Sequence, residues 1–341
     1  MKQALFGKTL DELKDVVSEL QLPAFTSKQI ADWLYKKNIS DINEMSNLSK
    51  KARQLLEEKY EIGLTPPINV QTSADGTKKY LFTADGHFIE AAYIPEQKRH
   101  TLCVSSQAGC KMNCLFCMTG KQGFQDNLTV NQILNQVRSI PEHEQLTNLV
   151  YMGMGEPLDN LEPVMKSLEI LTADWGYGWS PKRITVSTIG IVPAMKYFME
   201  NSRCHLAVSL HTPFEEERKK LMPVSSKYSI KDILDEIRQH DLGRQRRISF
   251  EYIVFKGLND TSRHVKELAR ILNGIRCRIN LIRFHKIPGT DLETTDEQRI
   301  LEFREELNAK GITATIRASR GQDIDAACGL LSTKELNKKQ E

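Results

Sequence analysis

Apolar positions change their spacing several times along this chain of 341 residues. Over the first sixty or so residues they recur at helical intervals: Leu10, Leu13, Val17 and Leu20, then Ile30, Trp33 and Leu34. Thr9 with Glu12, and Thr26 with Gln29, have capping-box spacing at the start of each run, and Pro23 separates the two. A third helix is expected over 48–59, and residues 63–67 have the composition of a linker. The spacing then shortens to that of strands. Runs at 79–83 and 88–94 flank Asp85-Gly86, which predicts a hairpin.

From Thr101 onward the two patterns alternate. Strands are expected over 102–106, 148–152, 183–188, 205–210, 248–254 and 278–284. Helices are expected over 130–140, 163–173, 192–200, 230–240, 265–273 and 298–310, and a seventh strand over 313–318. Six βα units in succession imply parallel strands joined by right-handed crossovers. The fold class is therefore α/β, either a partial barrel or an open doubly-wound sheet. A barrel places its ligands at the C-terminal ends of the strands. The expected division is a helical head (1–64), a linker with the hairpin (65–100), a βα body (101–330) and a polar tail (331–341).

Composition narrows the class. Hydrophobic residues make up 40% and charged residues 27%, as in an ordinary soluble protein. No apolar run approaches the roughly 20 residues that span a bilayer, and Met1 to Lys8 contain no signal-peptide core. Seven cysteines do not suggest a secreted disulfide framework, so a reducing cytoplasm is the expected setting. The net charge of +3 permits a nucleic-acid partner without requiring one. The head carries ten basic and ten acidic side chains and so has no bulk field. Local clusters stand elsewhere: Lys182 with Arg183, Arg244 with Arg246 and Arg247, and Arg317 with Arg320. Such runs are more often solvated faces than phosphate sites.

The candidate chemistry begins at Cys110, Cys114 and Cys117, spaced C-x3-C-x2-C with Phe116 before the last cysteine. Three thiolates on one loop can bind three irons of a [4Fe–4S] cube. The fourth iron is then open to chelate the amino and carboxylate groups of S-adenosylmethionine (SAM). An electron passed into SAM would release a 5′-deoxyadenosyl radical. The loop resembles the signature of the radical SAM superfamily. The alternative is a structural zinc site, which usually needs a fourth ligand from a second cysteine pair. Cys103, Cys204, Cys277 and Cys328 supply no such pair.

Position adds to this. The cysteine loop follows the first strand of the body, and Gly153-Met154-Gly155-Glu156-Pro157 follows the second. The glycines, Gly155 among them, allow close backbone approach, and Glu156 could accept a hydrogen bond from the SAM ammonium. A glycine-rich turn with a surface glutamate is the plainer alternative. Ser187 ends the third strand and Ser209-Leu210-His211 the fourth, where side chains could bond the SAM carboxylate or ribose. Cys204 and Cys277 fit small buried hydrophobes. Cys103 is expected at the base of the first strand. Cys328 lies among small residues, with Gly329 leaving its thiol accessible.

Cys103-Val104-Ser105-Ser106-Gln107, the cysteine loop, Gly153 to Pro157, Ser209 to His211 and Arg320 to Gly329 together resemble, in order, the RlmN/Cfr family of radical SAM methyltransferases. The match runs from about Phe88 to Gly329. The resemblance implies a partial (β/α)6 TIM-like barrel with a small N-terminal helical, RNA-binding accessory domain. It implies a [4Fe–4S] cluster and SAM as cofactors, 23S ribosomal RNA and also transfer RNA as substrates, and a separate reductase as electron donor. Nothing in the sequence suggests a membrane partner or an oligomer. In the family, the cysteine matching Cys328 takes a methyl group from one SAM, and the radical from a second SAM removes hydrogen from it. The methylene radical adds to adenine. The cysteine matching Cys103 then attacks, leaving a transient disulfide, and the glutamate matching Glu90 is the proton acceptor. Chemistry favours this route: adenine C2 and the SAM methyl are both electrophilic, so direct transfer is mismatched. The target base must be flipped or single-stranded to expose C2. A departure occurs at His285-Lys286, where many members have asparagine and proline; histidine can hydrogen-bond in place of the SAM-binding asparagine. The same motifs would serve the Cfr branch, which methylates C8. A radical SAM activase has no use for Cys328, and a non-catalytic iron–sulfur or zinc RNA-binding module has none for Cys103.

Overall fold

A computed structural model describes residues 2–240, 248–324 and 331–333. The head begins with β1 (Gln3–Ala4) and α1 (Leu10–Glu19). At Thr9 the capping box is closed: its hydroxyl accepts the Glu12 N–H at 3.3 Å, and the Glu12 carboxylate accepts the Thr9 N–H at 2.8 Å. The expected second box does not form. In α2 (Thr26–Tyr35), Thr26 is already helical and Phe25 holds the cap position with no side-chain bond. A backbone turn starts this helix instead, with the Pro23 carbonyl accepting the Thr26 N–H at 2.9 Å. Next come α3 (Lys50–Lys59) and β2 (Tyr60–Glu61), which pairs in parallel with β1.

Residues 63–67 do not hold the head apart from the body. Tyr35 packs on Trp175 and Tyr177, with ring centroids 6.0 and 5.7 Å apart. Asn131 donates to the carbonyls of Phe6 and Gly63 at 3.0 and 2.8 Å, and Lys166 pairs with Glu12 at 2.8 Å. One continuous apolar core runs from Leu5 in the head to Ala314 in the body. A chain lacking residues 1–64 would uncover that face, and we expect it to lose solubility and thermal stability. Size-exclusion chromatography with a melting curve checks this; a monomer with unchanged Tm would show that the shared core is dispensable.

The body opens with β3 (Asn69–Thr72), β4 (Lys78–Ala84), β5 (His87–Glu96) and β6 (Arg99–Cys103), each antiparallel to the next. A hairpin of β7 (Gln107–Gly109) and β8 (Phe124–Asn127) follows, with α4 (Met118–Gln122) between its strands. The βα units are then α5 (Val130–Arg138), β9 (Asn148–Tyr151), α6 (Leu161–Thr172), β10 (Ile184–Thr188), α7 (Val192–Asn201), β11 (His205–Ser209), α8 (Glu215–Leu221), α9 (Ile230–Gln239), β12 (Ile248–Val254), α10 (Ser262–Ile271), β13 (Cys277–Arg283), α11 (Glu297–Ala309) and β14 (Ala314–Ile316). β6 and β9 to β14 are parallel neighbours in one ten-stranded sheet, ordered β14-β13-β12-β11-β10-β9-β6-β5-β4-β3. This is the partial (β/α)6 barrel, extended at β6 by the antiparallel ribbon.

Alternation along each strand sorts the faces. Leu149, Val186, Leu206, Phe250 and Leu281 enter the core, while Asn148, Thr185, His205, Ser249 and Asn280 line a concave cavity. The first barrel strand differs from expectation. It ends at Cys103, because Ser105 N–H leaves the ladder for the Gln136 side chain at 2.8 Å and Ser106 N–H for the Met154 carbonyl at 2.9 Å. Cys103 therefore stands at the C-terminal end of the strand, not its base. No helix among the described residues is long and apolar enough to cross a membrane.

Candidate active site

The cysteine loop lies between β7 and α4, at the end of β6. Cys110 and Cys114 are buried and Cys117 half-buried, against Met112, Met118, Leu221, Met222, Phe255 and Phe284. Backbone bonds fix it: Cys110 N–H to the Gly123 carbonyl at 3.0 Å, Cys117 N–H to Cys114 at 3.1 Å, and Leu115 N–H to Leu221 in α8 at 2.9 Å. Burial pushes the Cys110 thiol up to about 12 and the Cys114 thiol well above its usual range, and the neighbouring cysteines add to both shifts. Negative charge on one of these sulfurs would oppose ionisation of the next, although among the described residues no three such side chains are already gathered as a single-metal site. Such a donor set suits a polynuclear cation that takes up several thiolate charges together.

Beyond β9, the expected SAM residues fall into two groups. Gly155 has φ +96°, and a Cβ there would lie 2.5 Å from the Gln107 Cβ, so only glycine lets Gln107 seat. The Gln107 side chain accepts the Glu156 N–H at 2.8 Å. The Glu156 carboxylate does not project freely. It accepts the N–H groups of Leu158 at 3.1 Å and Ile189 at 2.9 Å, joining the ends of β9 and β10. Burial raises it to about 7 despite those bonds. Ser187 and Ser209 are half-buried at the ends of β10 and β11. Leu210 is packed in the main apolar core, which leaves only its backbone for a ligand. His211 is buried with φ +59°, and its Nδ1 accepts the Ile253 N–H at 3.0 Å. Burial and then Arg218 push it down to about 3, so the ring is neutral and Nε2 carries its proton. The ring lies edge-on to Phe116, centroids 4.7 Å apart, and so braces the cysteine loop.

Glu90, on β5, is buried in an ion pair with Lys79 at 2.9 Å; the two side chains are 4% and 2% exposed. The Glu90 carboxylate also accepts the Ser332 N–H at 2.6 Å, and its carbonyl accepts the Ser105 hydroxyl at 2.6 Å. Cys103 faces Ala92 across the β5–β6 ladder. Cys328 lies outside the described residues, but its flanks are tied down. Before it, Asp323 accepts from the Ser73 hydroxyl and from Ala74 N–H at 2.9 Å, and Gly321 N–H reaches Asp75 at 3.0 Å. After it, Gln122 donates to Ser332 at 2.8 Å and Thr333 at 2.5 Å. Breaking a buried ion pair typically costs about 3–5 kcal/mol. Lys79→Met should therefore lower Tm sharply, with Lys79→Met/Glu90→Gln recovering part of the loss. Equal melting of single variant and parent would remove the pair's structural role.

His285 is exposed and lines the concave cavity, of about 1170 Å³. Arg99, Lys182, Arg276, Arg278, Arg317 and Arg320 share that lining, where Glu96 is the single carboxylate. Arg183 turns away to the Leu146 and Thr147 carbonyls and stacks on Trp179, so it is structural. Arg244, Arg246 and Arg247 lie outside the described residues. Sequence reasoning missed Lys79, Gln107 and Arg218. Arg218 sits in a run of charges that looks solvated, yet it is fully buried. It gave no signal of its own.

Residues 104–270 match the radical SAM superfamily, and residues 3–62 match the ribosomal RNA large subunit methyltransferase N-terminal domain. A probable dual-specificity RNA methyltransferase RlmN from Parabacteroides distasonis is 60% identical over 333 residues, covering 97% of each chain. The dual-specificity RNA methyltransferase RlmN of Campylobacter hominis is 41% identical, covering 97% of this chain and 98% of that one. The crystal structure of a radical SAM methyltransferase from Sphaerobacter thermophilus matches with a TM-score of 0.89 at 38% identity, covering 96% of this chain and 98% of that one.

Proposed function

Because this chain belongs to the RlmN family of radical SAM methyltransferases, we propose that it methylates C2 of an adenosine in 23S ribosomal RNA and in transfer RNA, by way of a methylated cysteine. The family uses a [4Fe–4S] cluster and SAM. Cys110, Cys114 and Cys117 would hold the cluster, which when bound would supply the electron for reductive cleavage of SAM. Backbone groups of Gly155, Glu156 and Leu210, with the hydroxyls of Ser187 and Ser209, bind SAM at the strand ends. His211 acts from beneath by bracing Phe116, and His285 offers a ring nitrogen at the cavity rim. Cys328 accepts the methyl group, Cys103 resolves the RNA–protein bond, and Glu90 takes the proton.

The observation that carries this reading most strongly is the convergence at the end of β6. Cys103, the cysteine loop and Glu90 meet there, and the chain just after Cys328 is held to them, Ser332 by Glu90 and Gln122. Nucleoside mass spectrometry of RNA from an anaerobic reaction tests it: 2-methyladenosine supports the proposal. 8-Methyladenosine would overturn the C2 assignment in favour of Cfr-type chemistry. No methylation, with zinc in place of iron and sulfide, would leave only a binding module.

RNA recognition rests on two surfaces, the head (1–64) and the basic cavity. Arg276 and Lys182 are exposed and have no ion-pair partner among the described residues. Removing one cation that meets a phosphate should reduce the slope of log K against log salt by about 0.7 to 0.9. Arg276→Glu with Lys182→Glu should weaken RNA binding roughly tenfold or more at low salt while leaving cluster content unchanged. Filter binding over a salt series measures this, and an unchanged slope would remove the cavity from the RNA path.

A further inference from the structure

The Arg218 side chain is fully buried. Its guanidinium donates to the carbonyls of Ile189 at 2.6 Å, Ser209 at 3.1 Å and Tyr228 at 3.4 Å. Those bonds satisfy protons but neutralise no charge. No carboxylate lies within ion-pair distance among the described residues, and the buried Nε has no hydrogen-bond partner. Burial lowers Arg218 only to about 10, so it stays cationic at neutral pH. Buried charges are ordinarily paired. The acid that acts on it electrostatically, Glu215, is one turn back on the same helix and already bonded to Ile230 N–H. The other group acting on it is Cys114. The geometry agrees: Leu221, three residues on and on the same face of α8, holds the N–H of Leu115 next to Cys114.

We propose that Arg218 is a positioning residue for the cysteine loop whose fixed positive charge offsets the negative charge of the thiolate-bound cluster and raises its reduction potential. The inference rests on the assignment of Cys110, Cys114 and Cys117 as cluster ligands. Reduction adds one electron, taken from the external reductant, and makes the site more negative by one charge. A buried cation beside it favours the reduced form. Its second effect is mechanical. The same guanidinium pins the ends of β10 and β11 through Ile189 and Ser209, so charge and strand ends are set by one side chain.

The test is an EPR-monitored redox titration of the anaerobically reconstituted holoprotein. Arg218→Met should lower the midpoint potential enough to change the reduced-to-oxidised ratio at least about tenfold at fixed potential, which for one electron is about 59 mV. Arg218→Lys, which keeps the charge, should stay near the parent. Glu215→Gln, which removes the neighbouring negative charge, should shift the midpoint upward. Opposite signs for the two neutralising variants would not arise from general loosening of the fold. If Arg218→Met does not load its cluster, Arg218→Lys and Glu215→Gln decide, and an unchanged or lowered midpoint in Glu215→Gln overturns the proposal. A loaded Arg218→Met protein with the parent midpoint also overturns it. If the unaltered protein holds no cluster, the cluster assignment itself fails.

Discussion

Protein carrying Cys114→Ala is expected to lose iron, sulfide and SAM cleavage together. Cys114 is buried at the centre of the cysteine loop, with Cys110 and Cys117 on either side, and its loop neighbour Leu115 is tied to Leu221. Alanine leaves two thiolates where a cube open at one iron needs three. The loss should be complete rather than graded, because no other cysteine among the described residues lies on this loop. Cys204→Ala is the control. Cys204 is buried in the main core, so its replacement should cost only a modest amount of stability, about 1 kcal/mol by the usual centre of such changes, and leave cluster absorbance intact. The measurement is iron and sulfide per chain, with 5′-deoxyadenosine formation under dithionite. A full iron complement in Cys114→Ala would refute the ligand assignment.

Cys328→Ala should abolish methylation, and Cys103→Ala should trap its intermediate. With Cys328 gone, no carbon is delivered to the base, so neither product nor adduct can form. With Cys103 gone, the chemistry should run to the covalent RNA–protein adduct and stop. Cys103 closes β6 near Glu90, and the described residues flanking Cys328 are tied, Asp323 to the turn 73–77 and Ser332 to Glu90 and Gln122. Denaturing electrophoresis reveals the adduct, and peptide mass spectrometry locates it. A methyl group on the Cys328 peptide of protein made with abundant SAM is the companion result. Comparable methylation by Cys328→Ala would sink the methyl-carrier route.

Much of the body was legible because its signals are local. Strand runs such as 248–254 were bounded to the residue, and most others to within one or two. The cysteine loop declared itself through spacing. The errors came where tertiary contacts overrode local pattern. Thr26 has capping-box spacing, but the turn from Pro23 starts the helix one residue earlier. Cys103 moved from the base of its strand to the tip because Gln136 and Met154 draw Ser105 and Ser106 off the ladder. Glu156 and His211 were expected to face a ligand, and no local pattern signalled that their side chains would also accept the N–H groups of Ile189, just past β10, and of Ile253 in β12. Lys79 and Arg218 were invisible, since a buried cation has the same letter as a solvated one. Only the partner across the fold distinguishes them.

The strand order of the large sheet is also the order of synthesis, β7 and β8 excepted. Every strand is laid against the one made just before it, so the sheet can grow along one edge as the chain leaves the ribosome. Loop closure at each step of the sheet involves only one crossover. Among the contacts outside this order, late ones join Ser73 to Asp323 and Glu90 to Ser332, 250 and 242 residues apart. A nascent chain halted short of Asp323 would already contain the head, the sheet and the cysteine loop. It could acquire iron before it could methylate anything. If the cysteine loop holds the cluster and Cys328 carries the methyl group, maturation and competence would be separated in time, with the final residues as the last stitch.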